Sequence, residues 1–423
     1  MTRILILVVL LAQSGSAFAE RVVTTDQGDE IPVQVYPAAG ERLMIWLPSE
    51  FGTTPRRSAL ATALAARGVE VWSPDLHSAW FLPTGRYSLN DVDPAAVGAV
   101  LKAALAETDK TLYFMADGRS VALALATVRA WQTATDDTSR LGGLLAFSPN
   151  LYLRTPQGGE TADYLPIATA SNLPVYILQP RESAGFWHVA DDVRALEHGG
   201  SPVFVHVLER VSDGFHARVD FSPAEEAMTR RLPEVLLQAL ELLAGYGGTP
   251  PQPAPLHGDA LPPQRPDGST LLRPVAEIRD APDLALPSLD GDLIRLDDLR
   301  GSVVLVNFWA TWCPPCVEEI PSLQRLYRRL QPHGMEILAV DVGEDAVTMR
   351  AFLKDKPVEF PVLMDTQGDA LRHWGVYAFP TTLVLDRQHR IRYAVFGAFD
   401  WNSDEVVATL QPLLNDGQAP DAR

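Results

Sequence analysis

Between residues 43 and 246, short runs rich in β-branched and aromatic residues alternate with stretches whose apolar positions recur at helical spacing. The strand-like runs are LMIWLP, VEVWSPDL, TLYFMA, LGGLLAFSP, LPVYILQP and PVFVHVL; the helical ones are RRSALATALAARG, DPAAVGAVLKAALAET, SVALALATVRAWQ and VADDVRALEHGG. Strands separated by helices of this length predict βαβ units and a mostly parallel sheet. An amphipathic helix over about 224–243 closes the region. Residues 247–281 break the pattern: they are dense in proline and glycine and lack apolar periodicity. Proline removes a backbone donor and favours extended chain, so this stretch predicts a semi-rigid linker rather than a packed element. From 282 to 415 the alternation resumes, with strands at VVLVNFWA, MEILAVDV, TTLVLD and IRYAVFG and helices at about 314–330, DAVTMRAFLKD and SDEVVATLQPLL; 416–423 is a tail. The chain reads as α/β throughout, in two domains, 20–246 and 282–415.

The first residues, MTRILILVVLLAQSGSAFAE, carry one basic residue, Arg3, an apolar run from Ile4 to Ala12, and small residues ending in Ala17-Phe18-Ala19. That layout predicts a secretory signal peptide over 1–19, cut before Glu20. The run is far shorter than the roughly 20 residues that span a bilayer, so no stable membrane insertion is expected after cleavage. With no cysteine near the cleavage site, lipid attachment there is excluded. The mature protein is expected to be periplasmic or secreted, in an oxidising compartment. The 35 Lys and Arg stand against 53 Asp and Glu, a net charge of -18, which disfavours phosphate backbones and anionic lipid and argues against nucleic acid as a partner.

The only two cysteines lie three residues apart in FWATWCPPCVEEIP, Phe308 to Pro321. A structural staple would join cysteines distant in sequence, because the stabilisation grows with the loop closed. Here the strand pattern ends and a helix opens at once, with Pro314 and Pro315 in a first turn where a missing N–H costs nothing. First-turn amides and the helix dipole favour a thiolate at Cys313. Cys316 follows one turn later and is expected to be the more buried of the two. Cys313 is therefore the candidate attacker of a partner's disulfide and Cys316 the candidate resolver. Two other readings compete. Half of a zinc site lacks a second Cys-x-x-Cys or paired His, the nine His being scattered, so no metal site is assigned. A peroxidatic cysteine, with Thr311 two residues ahead of Cys313, lacks the rest of a peroxidase signature. Glu319 lies i+3 from Cys316 and shares its helix face, whereas Glu318, at i+2, points away as a solvated charge.

Residues 281–414 resemble the thioredoxin superfamily, specifically the exported TlpA/ResA-like reductases, including those serving cytochrome c maturation; FWATWCPPC, EFPVLMD and FPTTLVLD carry the likeness. The resemblance implies a thioredoxin fold and a thiol-disulfide oxidoreductase. It implies no cofactor beyond a redox-active Cys313–Cys316 disulfide. The implied partners are a client protein disulfide and a thiol electron donor. It further implies a cis Pro380, which with Phe379 shapes the groove for the partner chain. Trp312 is expected as a half-exposed platform for that chain, Trp309 in the core, and Pro321 at a kink. Asn307 stands where thioredoxins proper carry a proton-relaying Asp; in the ResA-like branch a Glu three residues after the second cysteine supplies that group, and Glu319 stands there. The direction of net electron flow is left open.

The first domain resembles an α/β-hydrolase through LMIWLPSEFG, ALAARGVEVWSPDLH and YFMADGRSVALALA. An active nucleophile elbow reads G-x-S-x-G. Here ADGRS puts Gly118 at the nucleophile position, while the shifted register GRSVA would offer Ser120. RVSDGFH puts Asp213 at the place of the catalytic His, with His216 three residues on, and Glu182 stands where a triad acid belongs. The expected reading is a hydrolase-like scaffold without catalysis, serving as a binding or positioning module. The alternative makes this domain a hydrolase or binding protein and the thioredoxin-like domain its accessory.

Overall fold

The computed structural model describes residues 18–49, 52–85, 88–89, 91–135, 137–156, 159–246, 248–262 and 272–416. Most of the expected signal peptide, residues 1–17, lies outside the described residues. Two compact units form: Met1–Leu153 with Tyr164–Pro266, and Arg154–Asp163 with Asp267–Arg423. No helix among the described residues is long and apolar enough to cross a membrane.

Unit 1 holds strands β1 Ala19–Thr24, β2 Glu30–Tyr36, β3 Arg42–Trp46, β4 Val69–Pro74, β5 Thr111–Asp117, β6 Leu141–Phe147, β7 Val175–Glu182 and β8 Val203–Ser212. Its helices are α1 Pro55–Ala65, α2 Leu76–Ala79, α3 Pro94–Glu107, α4 Ser120–Ala134, α5 Val189–His198 and α6 Pro223–Ala244. The sheet order is β1-β2-β4-β3-β5-β6-β7-β8. Pairs from β4 through β8 are parallel, while β1 and β2 add an antiparallel edge. Helices cover both faces of the central strands, which is why β6, LGGLLAF, is buried at every position rather than at alternate ones. Helix starts follow local chemistry. Thr54, Asp93 and Ser222 cap α1, α3 and α6 ahead of a proline, and Ser222 and Glu225 close a reciprocal capping box.

Unit 2 holds β9 Arg273–Asp280, β10 Ala285–Pro287, β11 Leu293–Arg295, β12 Val303–Trp309, β13 Met335–Val342, β14 Val362–Asp365, β15 Thr381–Leu385 and β16 Arg390–Phe396, with helices α7 Pro314–Leu330, α8 Ala346–Asp355, α9 Asp369–His373 and α10 Asp404–Asn415. Six strands make a mixed sheet in the order β14-β13-β12-β15-β16-β9, and β10 and β11 form a separate hairpin. This is the thioredoxin-like arrangement, with the fully buried strand β12 at its centre leading directly into α7.

The proline-rich stretch, expected as a semi-rigid linker rather than a packed element, is packed in part. Residues 273–280 form β9, an edge strand paired antiparallel with β16. Pro274 is tolerated there because an edge strand has one side without a ladder. Further upstream, prolines lack N–H groups but keep their carbonyls: Gln132 donates to the Pro250 carbonyl and Asn172 to that of Gln252, while Thr249 N–H reaches the Leu141 carbonyl. Composition predicted too few donors for a packed segment; its carbonyl acceptors, together with the donors of Thr249, dock it.

Candidate functional site

Strand β12 is apolar except for Asn307, and it ends at Trp309, which is buried in the core with both cysteines. The chain then turns through Ala310–Trp312 and enters α7 with Cys313 at the N-cap. Cys313 and Cys316 form a disulfide with Cα atoms 5.3 Å apart, and the Cys316 N–H donates to Cys313 Sγ at 3.3 Å. Cys313 is 5% exposed and Cys316 1%, so the expected order of burial holds by a narrow margin. The helix runs through Pro321 without interruption to Leu330.

Glu319, one turn beyond Cys316, is buried, whereas Glu318 is exposed. Its carboxylate is held from two sides. Asn307 Nδ2 donates to Oε1 at 2.8 Å while also donating to Thr382 Oγ1 at 2.8 Å, and Trp401 Nε1 donates to Oε2 at 3.2 Å. Burial raises the Glu319 pKa, and the bonds from Trp401, Asn307 and the Phe399 backbone oppose that rise, leaving it at about 7. The result is a carboxyl group that exchanges its proton near neutrality, one helical turn from a thiol-forming sulfur. Two of these partners escaped the sequence reading. Asn307 counted only as the loss of an acid, though a donor amide facing a buried Glu was a legible pairing. Trp401 lies 82 residues away and had no local signal.

The Phe379–Pro380 peptide bond is cis. Because Thr381 pairs with Phe308, Pro380 stands at the end of the sheet from which the Cys-Pro-Pro-Cys departs. Trp312 and Phe379 are half-buried, meet edge to face with ring centroids 5.5 Å apart, and pack against the core that contains both cysteines. Thus Trp312, Cys313, Cys316, Phe379 and Pro380 gather at one end of the sheet of unit 2, with Glu319 one turn behind. No group of three or more His, Cys, Asp or Glu among the described residues is arranged to hold a metal ion.

In unit 1, Gly118 sits between β5 and α4 with φ +54°, a left-handed conformation that glycine adopts without a Cβ penalty. Ser120 is 1% exposed and its hydroxyl donates to the Pro48 carbonyl at 2.6 Å. Asp117 lies 2.7 Å from Arg57 Nη1 and 2.7 Å from His216 Nε2. Burial would raise the Asp117 pKa, but His216, Arg57 and the Trp46 N–H outweigh it and bring the group to about 2. Asp213 accepts from Ser148 Oγ at 2.6 Å, and Glu182 closes β7. His216 is thus engaged by an aspartate, not by a serine.

Residues 279–394 match the AhpC/TSA family. The chain is 37% identical over 144 residues to the thiol-disulfide oxidoreductase ResA of Bacillus subtilis strain 168, covering 34% of this chain and 79% of that protein. It is 40% identical over 117 residues to the ResA of Geobacillus thermodenitrificans, covering 28% and 67%. Among solved structures, a secreted thiol-disulfide isomerase from Corynebacterium glutamicum matches at 27% identity with a TM-score of 0.32, over 36% of this chain and 96% of that one. A thioredoxin-family thiol:disulfide interchange protein from Chlorobium tepidum matches at 26% with a TM-score of 0.29, over 32% and 99%. At 37% identity over 79% of the length of the Bacillus subtilis ResA, the chain belongs to the family of ResA-like thiol-disulfide oxidoreductases.

Proposed function

We propose that the protein is exported to the periplasm or beyond and reduces disulfides of client proteins, with Cys313 attacking, Cys316 resolving and Glu319 storing the proton. The observation that carries this reading is the buried Glu319, poised at about 7 one turn from Cys316. With the dithiol reduced, the Cys313 thiolate, favoured by the first-turn amides of α7, attacks one sulfur of the client disulfide and expels the other as a thiolate. The Cys316 thiol then gives its proton to the Glu319 carboxylate and attacks Cys313 Sγ. That step releases the client's second sulfur as a thiolate, which takes a proton from Glu319 or solvent, and leaves the Cys313–Cys316 disulfide. Two electrons have passed to the client, and a thiol donor must return them. Trp312, Phe379 and Pro380 would seat the client chain beside the reacting sulfur. Export is supported by the charge and apolar pattern of the first nineteen residues, and a place in cytochrome c maturation only by the family resemblance.

Unit 1 is read as an α/β-hydrolase-like scaffold without hydrolase chemistry, a module for binding or positioning. Its support is local: the left-handed turn position is a glycine, the neighbouring Ser120 hydroxyl is buried against a carbonyl, and His216 is paired with Asp117. The exchange mechanism is tested by trapping. Cys316→Ser, reduced and mixed with a disulfide-bonded client, should accumulate a mixed disulfide through Cys313, and Cys313→Ser should accumulate none. The reverse pattern would assign the roles the other way.

A further inference from the structure

A second buried carboxyl lies behind the active-site loop of unit 2, and the exchange mechanism does not use it. Asp341, near the end of β13, is 0% exposed and continues the strand face of Ile337 and Ala339, both in the core. Neither of its oxygens has a hydrogen-bond donor within reach among the described residues. Its register neighbour on β12, Trp309, has an indole N–H that likewise finds no acceptor, so the two do not meet. What does lie within hydrogen-bonding reach of Asp341 is the carboxyl group of Glu344. Two ionised carboxylates have only acceptors and cannot bond each other; one proton between them makes a short, strong bond.

Glu344 in turn grips the loop that presents the attacking sulfur. Its Oε2 accepts the Thr311 backbone N–H at 2.6 Å, and its Oε1 accepts the Thr311 hydroxyl. Thr311 is two residues ahead of Cys313. We propose that Asp341 stands protonated and donates to Glu344, and that Glu344, so held, fixes Thr311 and with it the position of Cys313 at the start of α7. Asp341 and Glu344 are positioning residues for the exchange, and the inference rests on the reading of Cys313 as the attacker. The electrostatics of the site run the same way. Burial holds the Asp341 pKa well above the carboxylate range, and the negative charges facing it, Glu344 and Asp345 from the loop after β13 and Asp365 from the end of β14, push the same way. Asp365 is itself buried and bonded to the N–H of Leu371, so it offers Asp341 repulsion and no donor.

The test has two readouts on the full chain. The first is the infrared difference spectrum at pH 7 between the wild type and Asp341→Asn, which keeps shape and removes the titration. Loss of a protonated carboxylic-acid carbonyl band is expected; loss of ionised carboxylate bands instead overturns the proposal. The second is the pH profile of Cys313 alkylation by iodoacetamide in the reduced protein. Thr311→Val removes the hydroxyl donor without changing any charge. It should lower the rate on the acidic side by about three-fold, the effect of a half-unit rise in thiol pKa, with an unchanged melting profile excluding misfolding. A profile superimposable on the wild type overturns the clamp. Should mass mapping show Cys316 alkylated before Cys313 in the wild type, the attacker assignment fails instead, while the infrared result still decides the protonation of Asp341.

Discussion

The indole N–H of Trp401 donates to Oε2 of Glu319 at 3.2 Å, and both side chains are buried. That bond joins the segment before α10 to the face of α7 that carries Cys316, and it acts on the charged form of the acid. Removing it by Trp401→Phe takes away one donor that favours the carboxylate. The Glu319 pKa should then rise above about 7, by up to about one unit if the bond is worth about 1 kcal/mol. A pH titration followed by carbon-13 resonance of the Glu319 carboxyl checks the direction; a fall or no change contradicts the assignment of Trp401 as donor.

The same acid leaves a signature in stability. Its folded pKa, about 7, exceeds the ordinary 4.5 because burial penalises the charge. Its favourable contribution is thus complete below pH 4.5 and is lost as pH rises through about 7. Glu319→Gln escapes that loss. Relative to the wild type it should gain stability between about pH 5 and 8, approaching about 3 kcal/mol at the alkaline end. Chemical denaturation of unit 2 at a series of pH values measures this, and a constant difference across the range would show that Glu319 titrates as an exposed acid.

In unit 1, Asp117 holds two cationic or potentially cationic partners, and Arg57 is 3% exposed. Asp117→Ala leaves that guanidinium buried without its counter-charge, which costs about 3–5 kcal/mol. The thermal midpoint of unit 1 should fall accordingly while dithiol exchange by unit 2 persists. A stability within 1 kcal/mol of the wild type, about the worth of a surface pair, would mean that Asp117 is not structural.

Ser120 separates scaffold from hydrolase. No esterase activity above background is expected, and Ser120→Ala should destabilise unit 1 by about 1–2 kcal/mol through the lost bond to the Pro48 carbonyl. Ester hydrolysis that disappears in Ser120→Ala would restore the hydrolase reading.

Much of this was legible in the chain because it is local. The β-rich apolar runs marked β3 to β8 of the first sheet and β12, β13, β15 and β16 of the second, and helix geometry alone set Glu319 beside Cys316 and turned Glu318 to solvent. What escaped was long-range or compositional. The β1–β2 edge precedes the first strong apolar run, and β9 is masked by prolines that an edge strand tolerates. Asp341 reads as the polar end of an apolar strand; its meaning depends on Glu344 and Thr311, which only the tertiary fold brings to it. Trp401 meets Glu319 across 82 residues of sequence, a pairing no spacing rule encodes.

Cys316 must lose a proton before it can attack the mixed disulfide. The direct measurement is the stopped-flow rate of resolution of a preformed Cys313 mixed disulfide, across pH, in the wild type and in Glu319→Gln. The wild-type rate should follow an ionisation near 7, and Glu319→Gln should abolish that limb and slow resolution about ten-fold or more near neutrality, within the usual range for losing a general base. Identical rates and pH profiles in the two proteins would contradict the central claim.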